Sequence, residues 1–178
     1  MVSVIFFAAF TILWAAENIV FPTAGRRNDV SFFVLLSAML ISVISSIAGG
    51  YFQWLSWSVS TTSTVIGLGL FATGIILRYW GILKMGKSFS RRLHSPAKLV
   101  TNGPFRYLRH PLYSGLCTTV IGLSVYIGTW IGVLAAVFVL FPTVAWRAAK
   151  EERELHKLFG EDYRVFCKKR WRIIPLIY

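Results

Sequence analysis

The sequence predicts an all-α integral membrane protein with about five transmembrane helices, and three observations predict it. Hydrophobic residues make up 56% of the 178-residue chain and are gathered into long uncharged runs, which suit hydrocarbon better than water. The net charge of +12 is clustered instead of spread: seven basic and no acidic residues lie between Lys84 and Arg109, and nine basic with five acidic lie from Arg147 to the end. Glycine and serine recur inside the apolar runs, where small side chains let helices approach closely.

The first span is expected from about Val2 to Val20, long enough to cross at about 1.5 Å per residue. It lacks a basic leading region and a small-x-small cleavage site, so it reads as a retained helix and not a signal peptide. Glu17 and Asn18 near its end can reach the interface, and Arg26 and Arg27 anchor the loop that follows. Span two covers about Val30 to Tyr51, with Ser37, Ser42, Ser45, Ser46, Gly49 and Gly50 as its small residues. The uncharged loop Gln53 to Ser63 carries Trp54 and Trp57, as expected of an aromatic belt on the far side of the membrane.

Span three runs from about Thr64 to Leu83. Its GLGLFATG string, Gly67 to Gly74, lacks the G-x-G-x-x-G spacing and a preceding strand, so helix packing explains it better than nucleotide binding. Arg78 near its end can extend toward the basic loop. Span four starts at Pro111 and ends near Ile127. Gly128-Thr129 makes a tight turn, and span five returns from Trp130 to Trp146, so the two form a C-terminal helical hairpin. Pro142 should bend span five. Beyond Arg147 the chain stays helical but becomes amphipathic, with Gly160 as the expected stop.

This is one domain: a three-span bundle over residues 1–83, a polar loop over 84–110, and the hairpin with its tail over 111–178. The loops bearing Arg26-Arg27, Lys84 to Arg109 and Arg147 onward are separated by pairs of spans, which puts all three in the cytoplasm and the N-terminus outside. The basic clusters suit anionic lipid headgroups, and no nucleic-acid-binding pattern accompanies them, so nucleic acid is not an expected partner. Cys117 and Cys167 provide neither a disulfide framework nor metal-ligand spacing, and no metal is expected.

The stretch with the most chemistry is Leu99 to Gly115, LVTNGPFRYLRHPLYSG. Asn102-Gly103-Pro104 is a turn sequence, and Pro111 fits the first turn of a helix, where its missing N–H costs nothing. That helix would start beside Arg106, Arg109 and His110 with its positive dipole end toward the polar layer. Because spans four and five form one hairpin, Tyr113 at the start of one lies near Arg147, Glu151 and Glu152 at the end of the other. Taken singly, each charge reads better as an interfacial anchor, and Arg147 with Glu151 as an i,i+4 pair. Together they mark a small-molecule site at the interface.

GPFRYLRHPLYSG, followed by Arg147, Glu151-Glu152, Leu155, Phe159-Gly160, Tyr163, Arg170 and Pro175, resembles the isoprenylcysteine carboxyl methyltransferase family and the related phospholipid methyltransferases. The pattern is R-H-P-x-Y-x-G, then E-E-x-x-L-x-x-x-F-G-x-x-Y, over about the last 80 residues. The resemblance implies a membrane methyltransferase that uses S-adenosyl-L-methionine without a Rossmann domain. It implies that Lys98, Leu99 and Val100 contact the adenine end and that Phe105, where the family commonly has tyrosine, keeps an aromatic surface but loses a hydroxyl. Arg109, His110, Pro111, Leu112, Tyr113 and Glu151 would line the cofactor. Arg147 would bind the lipophilic methyl acceptor, with Arg147, Glu151 and Glu152 as the catalytic set. The acceptor stays open among a prenylated cysteine carboxylate, a phospholipid amine, and a small thiol or phenol. A nicotinamide-dependent membrane reductase and a non-enzymatic membrane protein are the rival readings.

Overall fold

Helix α1, Val30–Tyr51, is the expected second span to the residue. It is followed by α2, Thr61–Met85, then a 3-10 turn over Gly103–Arg106, then α3, Pro111–Ile127, and finally α4, Trp130–Lys168. The structure is a computed structural model that describes residues 30–86 and 98–175. The expected first span, with Glu17, Asn18, Arg26 and Arg27, lies outside the described residues, as does 87–97 of the polar loop. Helices α1, α2 and α4 are each long and apolar enough to cross a membrane; α3 is shorter, at 17 residues.

Helices α2 and α3 pack through glycine. Gly67, Gly74 and Gly81 are buried along one face of α2, the first two against Gly122 and Gly115 of α3 and the third against Leu112 and Pro111. A Cβ on Gly74 would stand 2.6 Å from the carbonyl oxygen of Gly115, and one on Gly115 would stand 2.6 Å from the carbonyl oxygen of Gly74. Backbone thus meets backbone, as small residues permit in lipid. Helix α1 meets the hairpin through hydroxyls: Ser46 Oγ and Ser124 Oγ are 2.9 Å apart, and both neighbour Gly132. Ser42 and Ser46 are fully buried, whereas Ser37 points outward and contributes nothing to this contact.

The hairpin turns at Gly128, whose φ of 81° is one that L side chains rarely adopt. The loop after α1 clasps this turn: the Trp57 N–H donates to Gly128 O and the Trp130 N–H to Leu55 O. Ser60 caps α2 in a reciprocal pair with Ser63. Where a Pro142 bend is expected, α4 contains a π-helical turn, Ala136–Leu140, just before the proline; the widened turn accommodates a residue that has no N–H to give. Gly160 breaks the helix at φ 52° but does not stop it, and helical structure resumes to Lys168. The apolar part of α4 ends at Trp146; from Arg147 onward it carries a density of charge that hydrocarbon does not accommodate.

Candidate active site

The start of α3 and the charged part of α4 face each other, and the tail after α4 ties them together. The Arg109 N–H donates to Trp171 O at 2.8 Å, the His110 N–H to Arg172 O at 3.1 Å, and the Trp171 N–H to Tyr107 O at 3.1 Å. Arg170 Nε donates to Phe105 O at 2.7 Å while its guanidinium covers the Phe166 ring, 4.2 Å from the centroid. The Ser114 hydroxyl donates to Ile173 O. The segment that begins as a Gly103-Pro104 turn is therefore held from outside by residues 170–173.

Within this frame Arg147 is 1% exposed. Its Nε donates to Tyr113 Oη at 2.7 Å and lies 3.4 Å from Glu151 Oε1, and its Nη1 donates to Ser31 Oγ at 2.8 Å. The Tyr113 hydroxyl donates in turn to Glu151. His110 stacks on Tyr113 and reaches both carboxylates, with Nδ1 3.6 Å from Glu151 Oε2 and Nε2 3.2 Å from Glu152 Oε1. Glu152 also meets Arg172 Nη2 at 2.9 Å and Arg109 Nη1 at 3.4 Å. Arg109 is itself fixed by bonds to the carbonyls of Arg170 and Cys167.

These contacts set the charges. Burial opposes protonation of His110, but its hydrogen bonds to Glu151 and Glu152 and their negative charge outweigh this, so its pKa rises above 6.5. For Glu152 burial opposes ionisation, yet the His110 hydrogen bond and charge, with Arg172 and Arg109, bring its pKa down to about 2. The signs follow. The His110 contribution to stability is complete below its unfolded value of 6.5 and is lost as pH rises through the raised folded value. The Glu152 contribution is complete above 4.5 and is lost as pH falls toward about 2. The melting temperature of wild type minus that of Glu152→Gln, measured in detergent, should therefore be largest between pH 4.5 and 6.5 and shrink on either side. A pH-independent difference would contradict the pairing.

Two adjoining cavities open on this network. The larger one, about 940 Å³ with its open mouth, is lined on one side by Arg78, Arg109, His110, Tyr113, Arg147 and Glu151. On its other side stand Phe32, Leu35, Leu36 and Met39 of α1. The smaller is lined by Lys98, Leu99, Val100, Tyr163 and Phe166. Met85, Phe105, Arg109 and Leu155 border both. Every residue expected at the site, Pro111 and Leu112 included, thus lines one cavity or the other, except Glu152, which stands behind His110 and borders neither. Sequence reasoning missed Ser31, the α1 wall and Arg172, whose roles depend on packing that no local pattern signals. Arg78, read as an interfacial anchor, instead lines the larger cavity and donates to Leu112 O at 3.4 Å. Among the described residues no cluster could hold a metal ion.

Residues 62–162 match the phospholipid methyltransferase family model. Over 185 residues the chain is 29% identical to a probable protein-S-isoprenylcysteine O-methyltransferase of Oryza sativa subsp. indica, covering 96% of this chain and 95% of that protein. It is 33% identical over 147 residues to protein-S-isoprenylcysteine O-methyltransferase B of Arabidopsis thaliana, covering 79% and 73%. A solved eukaryotic intramembrane Ras methyltransferase, an isoprenylcysteine carboxyl methyltransferase, superposes with a TM-score of 0.58 at 25% identity. That match covers 80% of this chain and 52% of the solved chain, so this chain spans about half the length of that structure.

Proposed function

The chain belongs to the phospholipid methyltransferase family, within its isoprenylcysteine methyltransferase branch, and on that premise we propose that it transfers a methyl group from S-adenosylmethionine to the carboxylate of a prenylated cysteine. The observation that carries this reading is a cationic side chain, Arg147, buried where an apolar wall and a polar wall of one cavity meet. A carboxylate carried on a lipid fits that border: its chain lies along Phe32, Leu35, Leu36 and Met39, and its charge meets Arg147. We further propose one domain in which residues 1–83 form the spans, 84–110 the donor loop and 111–178 the hairpin and tail, with the basic, site-bearing end in the cytoplasm and the N-terminus outside.

The residues present fit the donor. The smaller cavity is apolar along Leu99, Val100, Phe105, Leu155 and Phe166, which suits an adenine ring, and it joins the larger cavity, where Glu151 offers negative charge to a cation. When bound, the donor supplies a sulfonium-activated methyl group for in-line displacement. Glu151 attracts a positive charge that disappears in the transition state, so it contributes to affinity more than to rate. Arg147 aligns the acceptor oxygen; a carboxylate, ionised at neutral pH, needs no base. His110 holds Glu151 in place, and Glu152, with Arg109 and Arg172, holds His110. Glu152 is thus a positioning residue and not a catalytic one.

The test is incubation of the purified chain with isotopically labelled S-adenosylmethionine and either an N-acetylated S-prenylcysteine or a phospholipid amine panel. Label is expected in a base-labile methyl ester of the prenylcysteine. Label confined to base-stable lipid amines would move the acceptor to the phospholipid branch, and no donor binding at millimolar concentration would overturn the reading altogether.

A further inference from the structure

Tyr163 is 1% exposed, yet its hydroxyl has no hydrogen-bond partner among the described residues. Two rings hold this one, with Phe166 stacked at 5.6 Å and His156 edge-on at 4.7 Å between centroids. Its polar neighbours are the Cys167 thiol, a weakly hydrogen-bonding group that does not satisfy it, and the charged side chains of Glu152 and Arg109. A buried hydroxyl without a partner is uncommon in a folded protein, because desolvation then goes uncompensated. Tyr163 also lines the smaller cavity, together with Leu99 and Val100, and every other lining residue is apolar apart from Lys98 and Arg109.

We propose that the Tyr163 hydroxyl is a recognition group for the nucleoside end of the methyl donor, completed only when that end enters the smaller cavity. This rests on the methyltransferase reading above and adds a specificity residue to it. The chemistry fits: a phenol hydroxyl both donates and accepts, and an adenosine presents ring nitrogens, an exocyclic amine and ribose hydroxyls. The two neighbouring rings leave the phenol little freedom to lose on binding, so most of the hydrogen bond appears as affinity. The half of the donor that carries the reaction lies in the other cavity, so Tyr163 acts on binding and not on the methyl transfer itself.

The proposal predicts opposite effects of Tyr163→Phe with and without ligand. In the free protein the change removes an unsatisfied polar atom, so the melting temperature should stay level or rise. In calorimetry with the full chain in detergent, the Kd for S-adenosylmethionine should increase about three- to tenfold. S-adenosylhomocysteine should lose affinity by the same factor, since it shares the nucleoside, and methylthioadenosine, which lacks the amino-acid end, should displace it from wild type but less readily from the variant. An unchanged Kd, a loss confined to S-adenosylmethionine, a lower melting temperature with intact affinity, or no displacement of S-adenosylhomocysteine from wild type by methylthioadenosine would overturn the assignment. Absence of S-adenosylmethionine binding to wild type would instead overturn the methyltransferase reading on which it rests.

Discussion

Arg147→Lys should lower turnover about a hundredfold or more while the donor Kd changes less than threefold. Described partners hold the guanidinium through Nε, on Tyr113 and beside Glu151, and through Nη1, on Ser31 of a different helix. A planar fork holds these partners in one fixed geometry; an ammonium of similar charge is a point donor and cannot reproduce it. The charge that attracts a carboxylate therefore survives the change, but its alignment does not, and a displacement of about 1 Å in an in-line reaction costs about 100-fold. Single-turnover kinetics with saturating donor measures the first quantity and calorimetry the second. A variant that turned over within fivefold of wild type would show that Arg147 is a structural tie between α1 and α4 and nothing more. Because Arg147 is buried, its melting temperature must be recorded alongside: a loss of fold would lower donor binding and turnover together, whereas misalignment lowers turnover alone.

The parts of this site that were legible in the sequence are those that local chemistry dictates. Pro111 at the first position of a helix, Gly128 at a turn with positive φ, and the return of span five beside span four together bring His110 and Tyr113 to Glu151 and Arg147. The R-H-P-x-Y and E-E strings can thus be paired from the sequence, and the spacing of Gly67 and Gly74 indicates close helix packing. What stayed hidden depends on long-range packing. Ser31 meets Arg147 across 116 residues, and nothing in VSFFVLLSAM announces it. Arg172 is one of several basic residues in the tail until Leu108 and Trp171 pair and turn it onto Glu152. Arg78 near the end of a span reads as an anchor, and only the packing of α2 on the start of α3, which brings its guanidinium to Leu112 O, shows that it borders the cavity. Gly160 illustrates the remaining difference, since a glycine can end a helix or merely break it, and the buried Tyr163 and Phe166 beyond it are what make the helix resume.

Gly122→Leu should be the most damaging change outside the site, destabilising the fold by about 3 kcal/mol or more, toward or past the upper end of the usual overpacking range. A Cβ there would stand 2.9 Å from both the Gly67 carbonyl oxygen and Phe71 Cα, and closer still to the Phe71 amide nitrogen. All three are backbone atoms of α2, so no rotamer change relieves the clash; the two helices must separate. Separation would undo the contacts that Gly74 and Gly115 share further along, because close approach at one glycine permits it at the next. It would also reach the site. Helix α3 begins with the residues that follow His110, and α2 contributes Arg78 and Met85 to the cavity wall, so a wedge at Gly122 tilts one lining against the other. The matched control is Gly69→Ala: nothing lies within 4 Å of a Cβ at Gly69, and helix propensity alone should make that variant neutral or up to about 1 kcal/mol more stable. Thermal unfolding in the same detergent measures both. Equal melting temperatures for the two variants would mean that α2 and α3 are not held together by backbone contact, and that the site owes its shape to the tail alone.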